Sequence, residues 1–205
     1  SQRSVWVPTA VVLLYIATPS VGEAFTYFLT DDLGLKGTAL GRLQVVEAIA
    51  SLIGVLLYRR FSDAKPSGII AASSVVGTLF VLPQLLLITH ANRAMSIPDD
   101  WLIYGPDAAQ SAIGEFGFMP ILTLAARLCP PGQEGTFFAL LTSAYNAAGI
   151  LSSEIGALLT KMLGVTGSDF QGLPTLVSLC ALTSLLPLPL LPLLDNVCEQ
   201  NGDDE

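Results

Sequence analysis

SLIGVLLY at residues 51–58 returns 102 residues later as SEIGALLT at 153–160, with five of eight positions identical. The same shift carries Gln44 onto Asn146, Ser51 onto Ser153, Gly54 onto Gly156 and Arg59 onto Lys161. Each copy lies in a long apolar run, and each of those runs is the second in a set of three. The runs fall at 5–29, 38–58, 68–89, 101–128, 136–159 and 173–194. Runs of about 20 apolar residues suit helices that cross a bilayer and are about twice the length of a barrel strand. Two units with an odd number of spans each must point in opposite directions, which makes them an inverted repeat. The expected fold is an all-α membrane protein of six transmembrane helices, arranged as two inverted three-helix repeats.

Composition supports this reading. The chain has 205 residues, 52% hydrophobic and only 13% charged, with mean hydropathy +0.63. Soluble domains carry about 25% charged residues, and runs this uniform offer no polar face to water, so a soluble bundle is excluded. The net charge is −8, and Asp195, Glu199, Asp203, Asp204 and Glu205 concentrate at the end. The expected organisation is a membrane domain over 1–194 and a solvated, disordered acidic tail over 195–205. No basic patch is available to neutralise phosphates, which argues against nucleic acid. Cys129, Cys180 and Cys198 lack metal or redox spacing, and His90 is the only histidine. No metal site, cofactor or histidine-based catalysis is expected, and the chain does not read as an enzyme. It begins Ser1-Gln2-Arg3, which suggests processing or cropping from something longer. The first run is too long for a signal peptide and lacks a small-residue cleavage site.

The polar residues follow a schedule. Runs one, two, four and five contain ionisable side chains, whereas runs three and six contain none and are expected at the lipid-facing flank. A charge inside a span is expensive and is usually retained for a function, so the schedule points to a polar route through part of the bundle. Runs one and four are interrupted, by Pro8, Pro19 and Gly22 and by Gly105-Pro106 and Pro120, as substrate-facing helices of inverted-repeat transporters are. Trp6, Tyr58 and Trp101 mark run ends. Arg59, Arg60 and Lys65 place their loop, and with it both termini, on the cytoplasmic side or its topological equivalent.

Two segments also carry a family likeness. FLTDDLGLKGTALGRLQVVEAIASLIGVLLY (28–58) and AIGEFGFMPILTLAARLCPPGQEGTFFALLTSAYNAAGILSSEIGALLTKMLGV (112–165) resemble the folate–biopterin transporter family of the major facilitator superfamily. The turn LAARLCPPGQEGTFFALL (124–141) is the most specific piece. The likeness covers a little under half the chain and implies the C-terminal six of about twelve helices, half of a major facilitator fold. It implies alternating-access transport of folate or pterin-like solutes, with proton coupling as an open addition, in a plasma or plastid membrane. Family members bind substrate between two halves. The implied partner is therefore a missing N-terminal six-helix half, a second copy, or a larger membrane complex in which the chain is a transport-inactive structural subunit.

Several side chains are candidates for the polar route. Asp107, Ser111, Gly114, Glu115 and Phe118 fall on one helix face with Gln110 beside them. They read as cavity lining, whose carboxylates can accept hydrogen bonds from the amino and ring N–H groups of a pterin. The alternative is two acids satisfied by neighbouring helices. Glu23, just beyond Pro19 and Gly22, is a further lining candidate. Asn146 opens a stripe with Gly149, Ser153 and Gly156 that suits lining or close helix packing. Glu47 lies near the middle of run two. An acid removed from water favours its neutral form, so Glu47 is either a proton-coupling group or an ion-pair partner for Arg42 or for a residue in the absent half. Glu154 is a third ionisable candidate, nearer an interface. Arg127 is a snorkelling anchor or a partner for a folate carboxylate.

Overall fold

The computed structural model describes residues 3–129, 132 and 134–193, with side chains given from residue 10 and not for 125, 127 and 128. The expected acidic tail and the side chains of Trp6 and Arg127 lie outside the described residues. The described residues are dominated by α-helix. Run one divides into α1 (Arg3–Ile16) and α2 (Gly22–Tyr27), followed by a wide π turn at Phe28–Asp32. The division falls at Pro19, which has no N–H to donate and pushes Thr18 away from helical geometry. Run two is one uninterrupted helix, α3 (Gly37–Tyr58).

Run three comprises α4 (Pro66–Leu79) and α5 (Val81–Ile88), separated at Phe80. Pro66 at the start lacks only a donor that the first turn would not use. Pro83 cannot donate to the Leu79 carbonyl, and the Phe80 N–H turns back to the carbonyls of Val76 and Gly77 at 3.3 and 3.1 Å. A single turn, α6 (Ala91–Ala94), leads into α7 (Asp99–Leu128). Asp99 and Asp100 in the first turn of α7 complement its dipole.

Run four was expected to be broken, but α7 is helical straight through Pro106 and Pro120. Each proline removes one backbone donor, and the packing of α3, α4 and α5 along α7 holds the helix together around those gaps. Run five is α8 (Glu134–Met162), and run six is α9 (Leu173–Thr183) followed by turns and a 3-10 turn at Leu188–Leu190. Among the described residues three segments are long and apolar enough to cross a membrane: Gly37–Tyr58, Pro66–Ile88 and Leu173–Leu190.

The two sets of three exchange partners. Helix α3 of the first set packs along α7 of the second, α8 of the second set packs along α1 and α2 of the first, and α5 meets α9. Glycine makes both long contacts possible. A methyl group on Gly54 would fall on the Ala112 carbonyl of α7, and one on Gly156 would fall on the Ser20 carbonyl in the break between α1 and α2. In a bilayer, where lipid is as apolar as leucine, such close approach supplies the dispersion contacts that hold helices together. The Ser152 hydroxyl also donates to the Thr18 carbonyl, a group that the break leaves without a helical partner.

Two apolar clusters close the bundle at its ends. One gathers Phe28, Leu87, Ile103, Leu173 and Leu176, and the other Val11, Ile70, Ile121, Leu124 and Leu191. The loops after runs one, three and five meet beside the first cluster. There His90 Nε2 contacts Asp32 Oδ2 at 3.1 Å, and Phe28 packs edge-on against Phe170 with ring centroids 5.6 Å apart. Arg93 pairs with Asp99 at 3.5 Å, and the fully buried Asn92 amide donates to Asp99.

Runs three and six are more than a lipid-facing flank. Leu79, Leu82, Leu182 and Leu186 are exposed, but Ser73, Ser74, Leu176, Val177 and Cys180 are buried. Absence of charge had suggested a single greasy face, whereas hydroxyl groups bonded to their own helix can be buried cheaply. Ser73 and Ser74 do this, donating to the carbonyls of Ile69 and Ile70 at 2.8 and 2.9 Å.

Candidate functional site

Along α7 the first apolar cluster takes Leu102 and Ile103, and the second takes Ile121 and Leu124. Between them Asp107, Gln110, Ser111 and Gly114 face a cavity of about 770 Å³. That volume falls in the range of roughly 300–1,000 Å³ common for small-molecule sites. The four residues follow the spacing of one helical face. From α3 come Leu40, Leu43, Gln44 and Glu47, again one face. Runs one and three add Tyr15, Thr18, Thr26, Ser73, Ser74, Thr78 and Gln84, and run six adds Cys180 and Ser184. Ser152 enters from α8. The cavity therefore lies between the two apolar clusters, its polar side chains set among apolar ones such as Phe25, Leu29, Val81, Ile113 and Val177.

Its polar groups are organised. The Gln84 amide donates to Asp107 Oδ1 at 3.0 Å. Ser74 Oγ, whose proton goes to the Ile70 carbonyl, lies 3.2 Å from the Tyr15 phenol group and can accept from it, and Thr78 Oγ1 and Ser184 Oγ lie 3.4 Å apart. Glu47 of α3 and Asp107 of α7 line the same cavity. Gln110 Nε2 is enclosed and has no hydrogen-bond partner. No Lys, Arg or His is among the described lining residues. This arrangement presents carboxyl acceptors and one unused amide donor to a planar, N–H-rich ligand, and nothing positive to an anionic one.

Of the residues expected to line a cavity, Asp107, Gln110 and Ser111 come together, and Glu47 joins them. Glu23, Glu115 and Asn146 do not line it. Glu23 is exposed, while its neighbours Gly22 and Thr26 face inward. Glu115 follows Gly114 and is turned about 100° further round the helix, off the face that begins at Asp107. Asn146 is exposed because the buried stripe of α8 is Ala148, Ser152 and Gly156, offset from the expected Asn146, Gly149, Ser153 and Gly156. Glu154 is also exposed.

The suggested ion pair between Arg42 and Glu47 is absent. Five residues along a helix turn the chain by about 500°, which puts the two side chains on opposing faces. Arg42 instead lies in a separate groove with Thr38, Val45 and Tyr104. Sequence reading missed Gln84, Ser73, Ser74, Thr78 and Ser184, because they are isolated polar residues in runs without charge. Gln84 was the detectable one, as the only amide side chain in run three.

Comparison with known proteins places these features. The profile of the BT1 family matches residues 1–205. The chain belongs to the BT1 family. A relative from Synechocystis sp. named folate-biopterin transporter is 49% identical over 94% of this chain and 39% of its own length. Folate transporter 1 of Plasmodium falciparum is 32% identical over 90% of this chain and 37% of its own length. Probable folate-biopterin transporter 4 of Arabidopsis thaliana is 30% identical over 78% of this chain and 33% of its own length. The chain thus spans about two-fifths of the length of the curated relatives it matches. No solved structure matches it. Family membership and the three apolar helices make this an integral membrane protein.

Proposed function

We propose that the chain is the C-terminal six-helix half of a membrane transporter for folate or pterin-like solutes that works by alternating access. The cavity between the two apolar clusters carries this reading. It joins Asp107, Glu47, Gln84 and Gln110 in a chain whose relatives are named for folate and biopterin. The 2-amino and ring N–H groups of a pterin form a donor pair that suits a carboxylate fork. The free Gln110 amide suits the ring carbonyl. Gln84 holds Asp107 in place while leaving it further acceptor capacity.

Six spans in two inverted repeats are part of the proposal. The exchanged packing of α3 with α7 and of α8 with α1 and α2 supports it, as does the use of Gly54 and Gly156 at the two contacts. The meeting of alternate loops at one end supports helices that cross in alternating directions. The Arg59, Arg60 and Lys65 loop then lies on the cytoplasmic or stromal side with both termini. Glu47, half-exposed on the cavity wall, is the proposed proton-coupling group. Transport of this kind involves no covalent chemistry.

The test uses the full-length protein. Glu47→Gln and Asp107→Asn, singly and together, are expressed at matched levels and assayed for pterin uptake. Each loses a charge-assisted hydrogen bond, a cost of about 1.5–3 kcal/mol, so uptake efficiency falls roughly 10- to 100-fold. Undiminished uptake by the double variant would refute the proposal. A wild-type protein that binds no pterin but migrates with partner proteins on native gels would favour the structural-subunit reading.

A further inference from the structure

A folate has two unlike ends: a flat bicyclic ring edged with N–H groups, and a tail that ends in glutamate carboxylates. The cavity between the apolar clusters draws its walls from all six runs, from Tyr15 in run one to Ser152 in run five and Ser184 in run six. It is therefore a space within this chain. Two of its lining side chains carry carboxyl groups, Glu47 and Asp107. A ligand carboxylate seated against them would meet like charge, which costs most where water is scarce. Among the described residues no Lys or Arg is on the walls to offset that repulsion. Arg42 of α3 lies in a separate groove, and Arg93 contacts Asp99.

The ring fits where the tail does not. Gln84 donates to Asp107 Oδ1 at 3.0 Å, which holds the carboxyl group in one orientation and leaves it lone pairs to spare. A carboxylate held in this way can take two parallel N–H donors, such as the 2-amino group of a pterin and the ring N–H beside it. Gln110 and Ser111, further along the same face of α7, are neutral partners for the remaining ring atoms. Phe25, Leu29, Val81, Ile113 and Val177 supply apolar surface for the faces of the ring. An analogue with oxygen in place of the 2-amino group would set an acceptor against an acceptor. A site built to hydrogen-bond an N–H rejects such an analogue strongly.

We propose, resting on the transport reading above, that this cavity holds the pterin ring alone. Asp107 selects the ring by its 2-amino group, and the anionic tail of a folate lies outside the cavity. Pterins without a tail and folates are then read by the same contacts, and the tail adds nothing to them.

The test is competition against labelled folate on the purified full-length protein. The competitors are pterin, lumazine (oxygen at the 2-position), folate, and p-aminobenzoyl-glutamate, which is the tail without the ring. Wild type is expected to prefer pterin to lumazine. Asp107→Asn weakens pterin and folate by the same factor, roughly 10- to 100-fold, the equivalent of one charge-assisted contact. It also levels the preference for pterin over lumazine and leaves p-aminobenzoyl-glutamate unchanged. Gln110→Leu changes no charge and is expected to weaken pterin and folate equally, by roughly 2- to 10-fold, which keeps the test open if Asp107→Asn fails to fold. Folate losing several-fold more or less than pterin in either variant would overturn the proposal. Weaker p-aminobenzoyl-glutamate binding in Asp107→Asn would overturn it too, by showing that Asp107 serves the tail through a cation from the rest of the protein. So would a preference for pterin over lumazine that survives Asp107→Asn. Wild type that binds neither pterin nor folate would sink the transport reading and the proposal together, whereas unequal losses in a protein that transports both would sink the proposal alone.

Discussion

Replacing Gly54 with alanine tests the helix packing most directly. Its new methyl group would lie 2.9 Å from the Ala112 carbonyl carbon, closer still to the carbonyl oxygen, and 3.0 Å from Ala112 Cα. These are backbone atoms and cannot swing aside, so α3 and α7 must separate. Overpacking of this kind costs about 1–3 kcal/mol, against which alanine recovers up to about 1 kcal/mol of helix propensity. With the full propensity gain, the net loss expected for Gly54→Ala is therefore about 0–2 kcal/mol. Gly149→Ala is the control, since nothing lies within 4 Å of its added methyl group and only the propensity gain applies. The propensity gain is common to both, so the two variants should differ by the overpacking cost, about 1–3 kcal/mol, or roughly 2–12 °C in Tm for a chain of this size. Gly156→Ala meets the Ser20 backbone in the same way and should behave like Gly54→Ala. Thermal unfolding of the purified protein in detergent, followed by circular dichroism, measures all three. A Gly54→Ala variant that melts at or above the Gly149→Ala control would refute the α3–α7 contact.

Other outcomes follow from the side-chain geometry. Gln84→Leu removes the amide that donates to Asp107 at 3.0 Å. It should cost about 1–3 kcal/mol, read as a lower Tm, with the loss reduced in a background already carrying Asp107→Leu. His90 and Asp32 join two loops across 3.1 Å with both side chains about one-third exposed. A double-mutant cycle with His90→Ala and Asp32→Ala should return a coupling of about 0.2–1 kcal/mol, and zero coupling would exclude the contact in solution. At the start of α8 the Gly132 N–H donates to Glu134 Oε1 at 2.9 Å, and this bond, with the Glu134 N–H, holds the carboxyl below its usual value. A depressed folded value stabilises the protein above the ordinary glutamate range and ceases to do so as pH falls through the folded value. Glu134→Gln should therefore flatten the acid side of the stability profile slightly, and an unchanged profile would remove Glu134 from that role.

The sequence by itself determined the membrane class and the helical content. Those properties depend on local composition and on spacing along one chain. An apolar run of 20 residues can satisfy its backbone only as a helix, wherever its neighbours lie. The placement of Asp107, Gln110 and Ser111 on one face was legible for the same reason, since helical periodicity is fixed at 3.6 residues per turn. Three things depended on the tertiary structure. The buried face of α8 is the one on which Gly156 meets the Ser20 backbone, an approach that a side chain there would block. Glu115 was placed with Asp107 by helical periodicity, but it sits at the edge of that face, and the packing of α7 against α3 and α4 leaves it off the lining of this cavity. Gln84 and the serines of α4 became lining residues only once a charge-free run was folded against α7. A side chain's neighbours across helices are set by how helices pack, and no periodicity within one run encodes that.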